Sequence, residues 1–287
     1  MAGSAVEVRP ILAADLEPVG RFLHQHLNRN VSAEAWASVV APPWEDSAPN
    51  HGFQLVGDEG VVGVYAAVYS LRDVGDEQVR VCNLAAFCVL EDHRVHGLRL
   101  VRALLSQQGY EFTDLSPSGN VVALNERLGF RRLDTSTKLV PNLPWVPRRG
   151  TRVTSDPEAI HRVLRGRDAE IYRDHRRAPA AQHLLVTHAD EHGYLMYRRD
   201  ARKGVRTFAS PLYAGGDPGC LEAAWPSVGA HLLRRGLVAT LAERRVLGFA
   251  PRPGIELPRP RPKMFRGSRL EADTVDYLYS ELTLVPW

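Results

Sequence analysis

Val6-Glu7-Val8-Arg9-Pro10-Ile11 alternates apolar and polar positions and stops at a proline, the pattern of a short strand. From Asp15 to Leu27 the period lengthens, with Leu16, Val19, Phe22, Leu23 and Leu27 at helical spacing. A second short helix is predicted over Ser32–Val40, with Ser32 as N-cap, Glu34 in the first turn and Pro42-Pro43 beyond its end. Gly52–Gly60 reads as a strand entering a tight turn. Val61–Leu71 and Val79–Leu90 follow as longer strands, the second so continuously apolar that both its faces are expected to be covered. The period then changes again. Leu98, Val101 and Leu105 share a helix face, Gly109 fits just past its end, and Tyr110–Leu115 is a strand. Ser116-Pro117 reads as N-cap and first helical residue of a helix that buries Val121, Leu124 and Leu128 and stops at Gly129, before a strand from Phe130.

Pro141, Pro144, Pro147 and Gly150 then interrupt the pattern, and residues 141–152 read as a linker between a first half, 1–140, and a second, 153–287. Ser155-Asp-Pro-Glu158 is a capping box opening a helix with Ile160, Val163 and Leu164 inward. Strands are predicted at His183–Thr187, Tyr194–Arg198 and Arg206–Leu212. A helix carries Leu221, Trp225, Val228 and Leu232, with Pro226 kinking or restarting it, and strands follow at Leu237–Arg245 and Tyr277–Val285. The second half repeats much of the first half's order. The fold class is α/β, a mixed sheet with helices packed on it, occurring twice.

With 287 residues, 44% hydrophobic and 24% charged, the chain has ordinary globular composition and needs no covalent staples. Cys82, Cys88 and Cys220 are odd in number and lack zinc-type spacing, as expected in a reducing compartment. The N-terminal residues resemble no signal peptide, and no run approaches the roughly 20 apolar residues of a membrane span, so a cytoplasmic protein is expected. Charge is uneven: residues 1–150 hold 14 Lys+Arg against 17 Asp+Glu, and residues 151–287 hold 22 against 16. No continuous basic run marks a nucleic-acid surface. Arg259, Arg261, Lys263 and Arg266, in the extended LPRPRPKMFR segment, could present cations to an anionic acceptor or form a solvated edge.

The candidate chemistry lies within residues 81–130. The buried strand VCNLAAFCVL runs into Glu91-Asp-His-Arg94-Val95-His96-Gly97-Leu98-Arg99 and then a helix, and a turn at a helix N-terminus offers orphan N–H groups to phosphate. Arg94-Val-His-Gly97-Leu-Arg99, followed by Leu124-Asn125-Glu-Arg-Leu128-Gly129-Phe130, resembles the GNAT acyltransferase superfamily, which transfers acyl groups from coenzyme A thioesters. The family loop reads Gln/Arg-x-x-Gly-x-Gly/Ala; Arg99 departs at the last position, where its guanidinium could take over part of the pyrophosphate contact.

The resemblance implies the GNAT fold, with a second GNAT-like half that has lost its coenzyme site. It implies acetyl-CoA or another acyl-CoA as donor, held by Arg94, Val95, Gly97, Leu98 and Arg99 and by Phe87, Cys88 and Val89 at the thioester. Ser118 falls on the family's helix-opening Asn, and Asn125 on the tyrosine that often protonates the leaving thiolate, though an amide supplies no proton. Asn125, Ser116 and Asn83 are the candidates to orient sulfur or acceptor. The implied reaction is acetyl transfer to an amine or hydroxyl of a small molecule or sugar. Two other readings stay open: a non-catalytic scaffold binding acyl-CoA or a protein, and an aminoacyl-tRNA-dependent transferase. By strand parity Cys82 and Cys88 share a face opposite to Asn83 and Phe87. No metal is expected, since His188-Ala-Asp-Glu191-His192 has the sequence of a zinc motif but the flanks of a hairpin turn rather than a helix.

Overall fold

Val64, Tyr65, Ala66, Ala67, Val68 and Tyr69 are consecutive and all buried, as in a strand covered on both faces. The computed structural model describes residues 6–39, 42–44, 48–119, 121–146, 149–202 and 205–286, so Val40 and Pro147 of the sequence reading lie outside the described residues. In chain order the elements are β1 (Glu7–Pro10), α1 (Leu16–His26), α2 (Ala33–Val39), β2 (Gly52–Gly57), β3 (Gly60–Val74), β4 (Glu77–Val89), α3 (Gly97–Leu105), β5 (Tyr110–Asp114), α4 (Val121–Arg127) and β6 (Arg131–Arg132). They continue with β7 (Thr137–Pro141), β8 (Thr151–Thr154), α5 (Pro157–Val163), α6 (Gly166–His175), β9 (Gln182–His188), β10 (Glu191–Arg202), β11 (Val205–Gly216), α7 (Pro218–Ala223) and α8 (Trp225–Arg234). The last are β12 (Ala239–Glu243), α9 (Arg244–Leu247), β13 (Ile255–Glu256), β14 (Met264–Arg266) and α10 (Glu281–Leu284). Among the described residues no helix is long and apolar enough to cross a membrane.

Two compact units result. The first comprises the described residues up to Leu133 with Pro262–Val275 and Tyr279–Val285; the second comprises Asp134–Arg261 with Asp276–Leu278. These bounds differ from a division at residues 140 and 153, because strands cross over in sequence. β14, expected in the second half, lies in the first unit's seven-stranded sheet, whose order is β1-β2-β3-β4-β5-β14-β6. It runs antiparallel to β5, pairing Met264 with Asp114 and Arg266 with Phe112. Burial fixes it there: Met264 and Phe265 are enclosed, Arg131 stacks over the Phe265 ring at 4.4 Å, and Arg269 holds the buried Glu111 at 3.1 Å. Phe265→Ala should cost about 3–5 kcal/mol in chemical denaturation, the range for truncating a buried aromatic.

β7, expected to close the first half, lies instead in the second unit's sheet, order β13-β7-β12-β11-β10-β9-β8. Other corrections are local. β8 begins in the last two residues of the expected linker, and Tyr277–Val285 is no strand, because Tyr279 adopts φ 53° and the chain continues into α10. The helix expected from Pro117 starts at Val121. Pro226 marks a restart, between α7 and α8. His188 and Glu191 pair across the β9–β10 hairpin turn.

The sheet of the first unit has two differently covered faces. Cys82 and Leu84 of β4 pack with Phe112 of β5 and with Leu100, Val101 and Leu104 of α3. α1 and α2 pack against β3, and α10 packs on α2. Ala66 pairs with Ala86 but Ala67 pairs with Leu84, so Ala85 is an extra residue. This bulge reverses the alternation beyond it. Phe87 and Val89 therefore join Cys82 on the α3 face and pack in the same cluster. Asn83 and Cys88 share the opposite face, which overturns the parity counted along the sequence.

Candidate functional site

β4 and β5 run parallel for five pairs, from Arg80 with Tyr110 to Leu84 with Asp114, and then separate. From Ala86 to Val89, β4 remains laddered to β3 alone. Phe87, Cys88, Val89 and Leu90 become partly exposed there, whereas the strand upstream is mostly buried. A cavity of about 420 Å³ opens at this place, lined by Phe87 and by Val121, Ala123, Leu124 and Arg127 around α4. Exposed backbone N–H and C=O groups beside an apolar wall suit a long, amide-bearing ligand.

At the end of β4 a 3-10 turn, Glu91–His96, leads straight into α3. No side chain caps the turn or α3, and the first α3 amide, Gly97 N–H, donates to the Arg94 carbonyl of the turn. Gly97 is buried against β4: a Cβ there would stand 3.2 Å from Phe87 Cζ and 3.7 Å from Val89 Cγ2. Arg94 is exposed, its ion pair with Glu91 at 3.4 Å being a weak surface one. Val95 and Leu98 are 82% and 62% exposed, unusual for apolar residues flanking a buried glycine. Arg99 turns elsewhere, donating from Nη1 to the Val6 carbonyl at 2.8 Å, so its guanidinium is held beside β1.

The second unit offers a contrast. β11 and β12 also pair in parallel, for two residues, before separating. In the turn after β11, however, Asp217 accepts the Cys220 N–H at 2.7 Å and Asp168 accepts the Gly216 N–H at 2.7 Å. Carboxylates already occupy the donors that a phosphate would need. Of the cations in the LPRPRPKMFR segment, Arg261 is paired with the buried Asp200 at 2.9 Å and Arg266 stacks over Phe112 at 6.0 Å.

The polar candidates divide into two groups at the point where β4 and β5 separate. Asn125 is buried in α4 and donates from Nδ2 to Asp114 at 2.7 Å, so it ties α4 to the end of β5 and is absent from the cavity wall. Ser116 is half-buried and donates its backbone N–H to Asp114, and Ser118 is exposed. On the opposite face, Thr113 Oγ1 donates to Asn83 Oδ1 at 2.9 Å, and Asn83 Nδ2 donates to the Glu281 carboxylate. Sequence reasoning passed over Asp114, Thr113 and Glu281. The available signal was a carboxylate inside an apolar run, in LYSELTLV (278–285) and YEFTDL (110–115).

Burial pushes Asp114 up to about 7; the Asn125 hydrogen bond opposes that and the charge of Glu281 adds to it. Burial also raises Cys88 and pushes Cys82 up to about 12, so neither is an activated thiolate. Among the described residues no group of three His, Cys, Asp or Glu is placed to hold a metal ion.

No protein-family model matches the chain. No curated protein matches it in sequence. Solved structures do match in fold. A GCN5-related N-acetyltransferase from Anabaena variabilis superposes with a TM-score of 0.59 at 12% identity, covering 91% of this chain and 72% of that one. A second, from Kribbella flavida, gives 0.55 at 14% identity, covering 91% and 72%. The Saccharomyces cerevisiae N-myristoyltransferase with bound myristoyl-CoA gives 0.50 at 12% identity, covering 100% of this chain and 85% of the other. The diverging β4–β5 pair, the turn at the α3 N-terminus and these superpositions together identify the architecture as the GCN5-related N-acetyltransferase fold.

Proposed function

We propose that this protein is an acyl-CoA-dependent acyltransferase that carries an acetyl group to an amine or hydroxyl of a small molecule or sugar. The observation that carries the reading is Gly97 seated on Phe87 at the N-terminus of α3, which no side chain caps, where the β4–β5 pairing ends. The solved N-myristoyltransferase that shares the fold holds an acyl-CoA, which supports the same class of donor here.

In this reading the α3 amides receive the pyrophosphate, and Arg94 releases Glu91 to add charge. The free edge of β4 from Ala85 to Val89 hydrogen-bonds the pantetheine amides, and the apolar wall of Val121, Ala123 and Leu124 covers its chain. Amide N–H groups of that edge polarise the thioester carbonyl; a donor fixed on a developing oxyanion is worth about 2.7–4 kcal/mol. Excluding water at Phe87 strengthens those interactions.

Acetyl-CoA at roughly 100 times its Kd should stabilise the first unit by about 2.7 kcal/mol, read as a rise in Tm. Native mass spectrometry of freshly purified protein should show a retained coenzyme A species. No shift at saturating acetyl-CoA would refute the donor. The commitment of Asn125 to Asp114 favours one rival, a scaffold that binds acyl-CoA without turnover. Coenzyme A thiol released in proportion to an added acceptor excludes that rival.

A further inference from the structure

Within the second unit, Leu143, Trp145 and Val238 are about half exposed and Val146 is 86% exposed. They meet where β7 ends and β12 begins. The Asn142 N–H donates to the Val238 carbonyl at 2.8 Å, and Leu143, Trp145 and Val146 follow Asn142 along the chain. Beside them lies an apolar groove of about 330 Å³, lined by Leu139, Pro141, Ala239, Pro253, Gly254 and Ile255. An apolar patch of this kind, left in water, marks a contact surface.

Three arginines stand at the same end. Arg234 and Arg235 close α8, just before Val238, and Arg199 of β10 donates from Nη2 to the Arg235 carbonyl at 2.9 Å. Arg235 donates to Ser155 Oγ and, at 3.1 Å, to His231 Nε2. Among the described residues none of the three is ion-paired with a carboxylate. The patch is therefore apolar and cationic together, and its complement is an anion that also covers aliphatic side chains.

That pair of demands selects the occupant. A second copy of the chain is disfavoured, because a two-fold contact sets the same cationic patch on both sides. A nucleic acid would pair with the guanidinium groups and stack on Trp145, but would leave Leu143, Val146 and Val238 in water. Strand addition at the sheet edge is blocked, since the two-residue β13 stands between Pro253 and Pro258. An anionic bilayer meets both demands: headgroup phosphates take the guanidinium groups, the acyl boundary takes the aliphatic side chains, and an indole favours the interface between them.

We propose that this end of the second unit binds the surface of an anionic phospholipid membrane, with Trp145 and Val146 entering the interface and Arg199, Arg234 and Arg235 meeting the headgroups. The proposal is independent of the acyl-CoA reading and holds whether or not a donor binds.

The test is co-sedimentation of the full chain with vesicles, one set of phosphatidylcholine alone and one of equal parts phosphatidylcholine and phosphatidylglycerol. Binding should be confined to the mixed vesicles and should weaken as salt is raised. Arg199→Gln with Arg234→Gln should weaken it by about 30-fold, roughly fivefold for each cation lost. Val146→Asp should weaken it by at least about tenfold. All three positions are exposed, so circular dichroism should show the wild-type fold in each variant. Brominated phosphatidylcholine in the mixed vesicles should quench tryptophan emission, and Trp145→Phe should remove most of that quenching, because Trp36, Trp44 and Trp225 are buried. No binding to the mixed vesicles, equal binding to both sets, or variants that bind as wild type does would overturn the proposal. So would substitutions that abolish dimerisation or binding to a single-stranded oligonucleotide in a protein that ignores vesicles, since the patch would then serve that partner.

Discussion

Gly97→Leu should raise the Kd for acetyl-CoA by at least about 100-fold, measured by calorimetry or by the ligand-induced shift in Tm. Gly97 has a helical backbone, φ −56° and ψ −37°, so leucine strains no backbone dihedral there and its cost falls on Phe87 and Val89, which must shift; circular dichroism of the unliganded variant checks that the fold persists. The effect is steric. Even a bare Cβ would stand 3.2 Å from Phe87 Cζ, and a longer side chain must push into the space between the α3 N-terminus and β4. Each hydrogen bond to a charged group is worth about 1.5–3 kcal/mol, so displacing a phosphate from two amides costs about 3–6 kcal/mol, which sets the stated ratio. Gly97→Ala asks Phe87 to give by a few tenths of an ångström and should weaken binding far less. Unchanged affinity in Gly97→Leu would place the donor elsewhere.

Wild-type protein should lose stability as pH rises from about 4 to about 7, relative to Asp114→Asn, by an amount on the order of a few kcal/mol. In the unfolded chain Asp114 titrates near the ordinary aspartate value, whereas in the fold burial pushes it up to about 7. Between those values the folded state binds more protons than the unfolded state, so raising the pH favours unfolding. Below about pH 4 the group is protonated in both states and costs nothing; above about pH 7 the loss is complete and the curve flattens. Asp114→Asn is neutral throughout and can still accept the Asn125 amide. Its denaturation midpoint should therefore match wild type at pH 4 and exceed it at pH 8. Parallel pH profiles for the two proteins would mean that Asp114 is ionised in the fold at neutral pH.

Several features of this protein are set by its local sequence. Alternation and helical spacing locate β3, β4, α1 and α3, because side chains buried on one face must recur at the period of the backbone that carries them. Gly129, at φ 85°, ends the turn after α4 because it adopts a left-handed conformation at little cost. The strand that runs into Arg94-Val-His-Gly97 was legible for the same reason: every constraint on it acts within a few residues.

Partners distant in sequence decided the rest. Nothing within Met264–Arg266 or Thr137–Pro141 specifies a ladder, since backbone hydrogen bonds are alike for every strand; enclosure of Met264 and Phe265 against β5 fixes one of them. A single extra residue, Ala85, reversed the faces of Phe87 and Cys88, and a count along the chain cannot register a bulge that exists only relative to β3. Asn125 drew its role from Asp114, eleven residues away, and Asn83 from Glu281, 198 residues away. The sequence by itself therefore determined β3, β4, α1, α3 and the turn at the α3 N-terminus. Tertiary structure alone decided which carboxylates stand at the separation of β4 and β5, because burial and hydrogen-bond partners are properties of the packed chain.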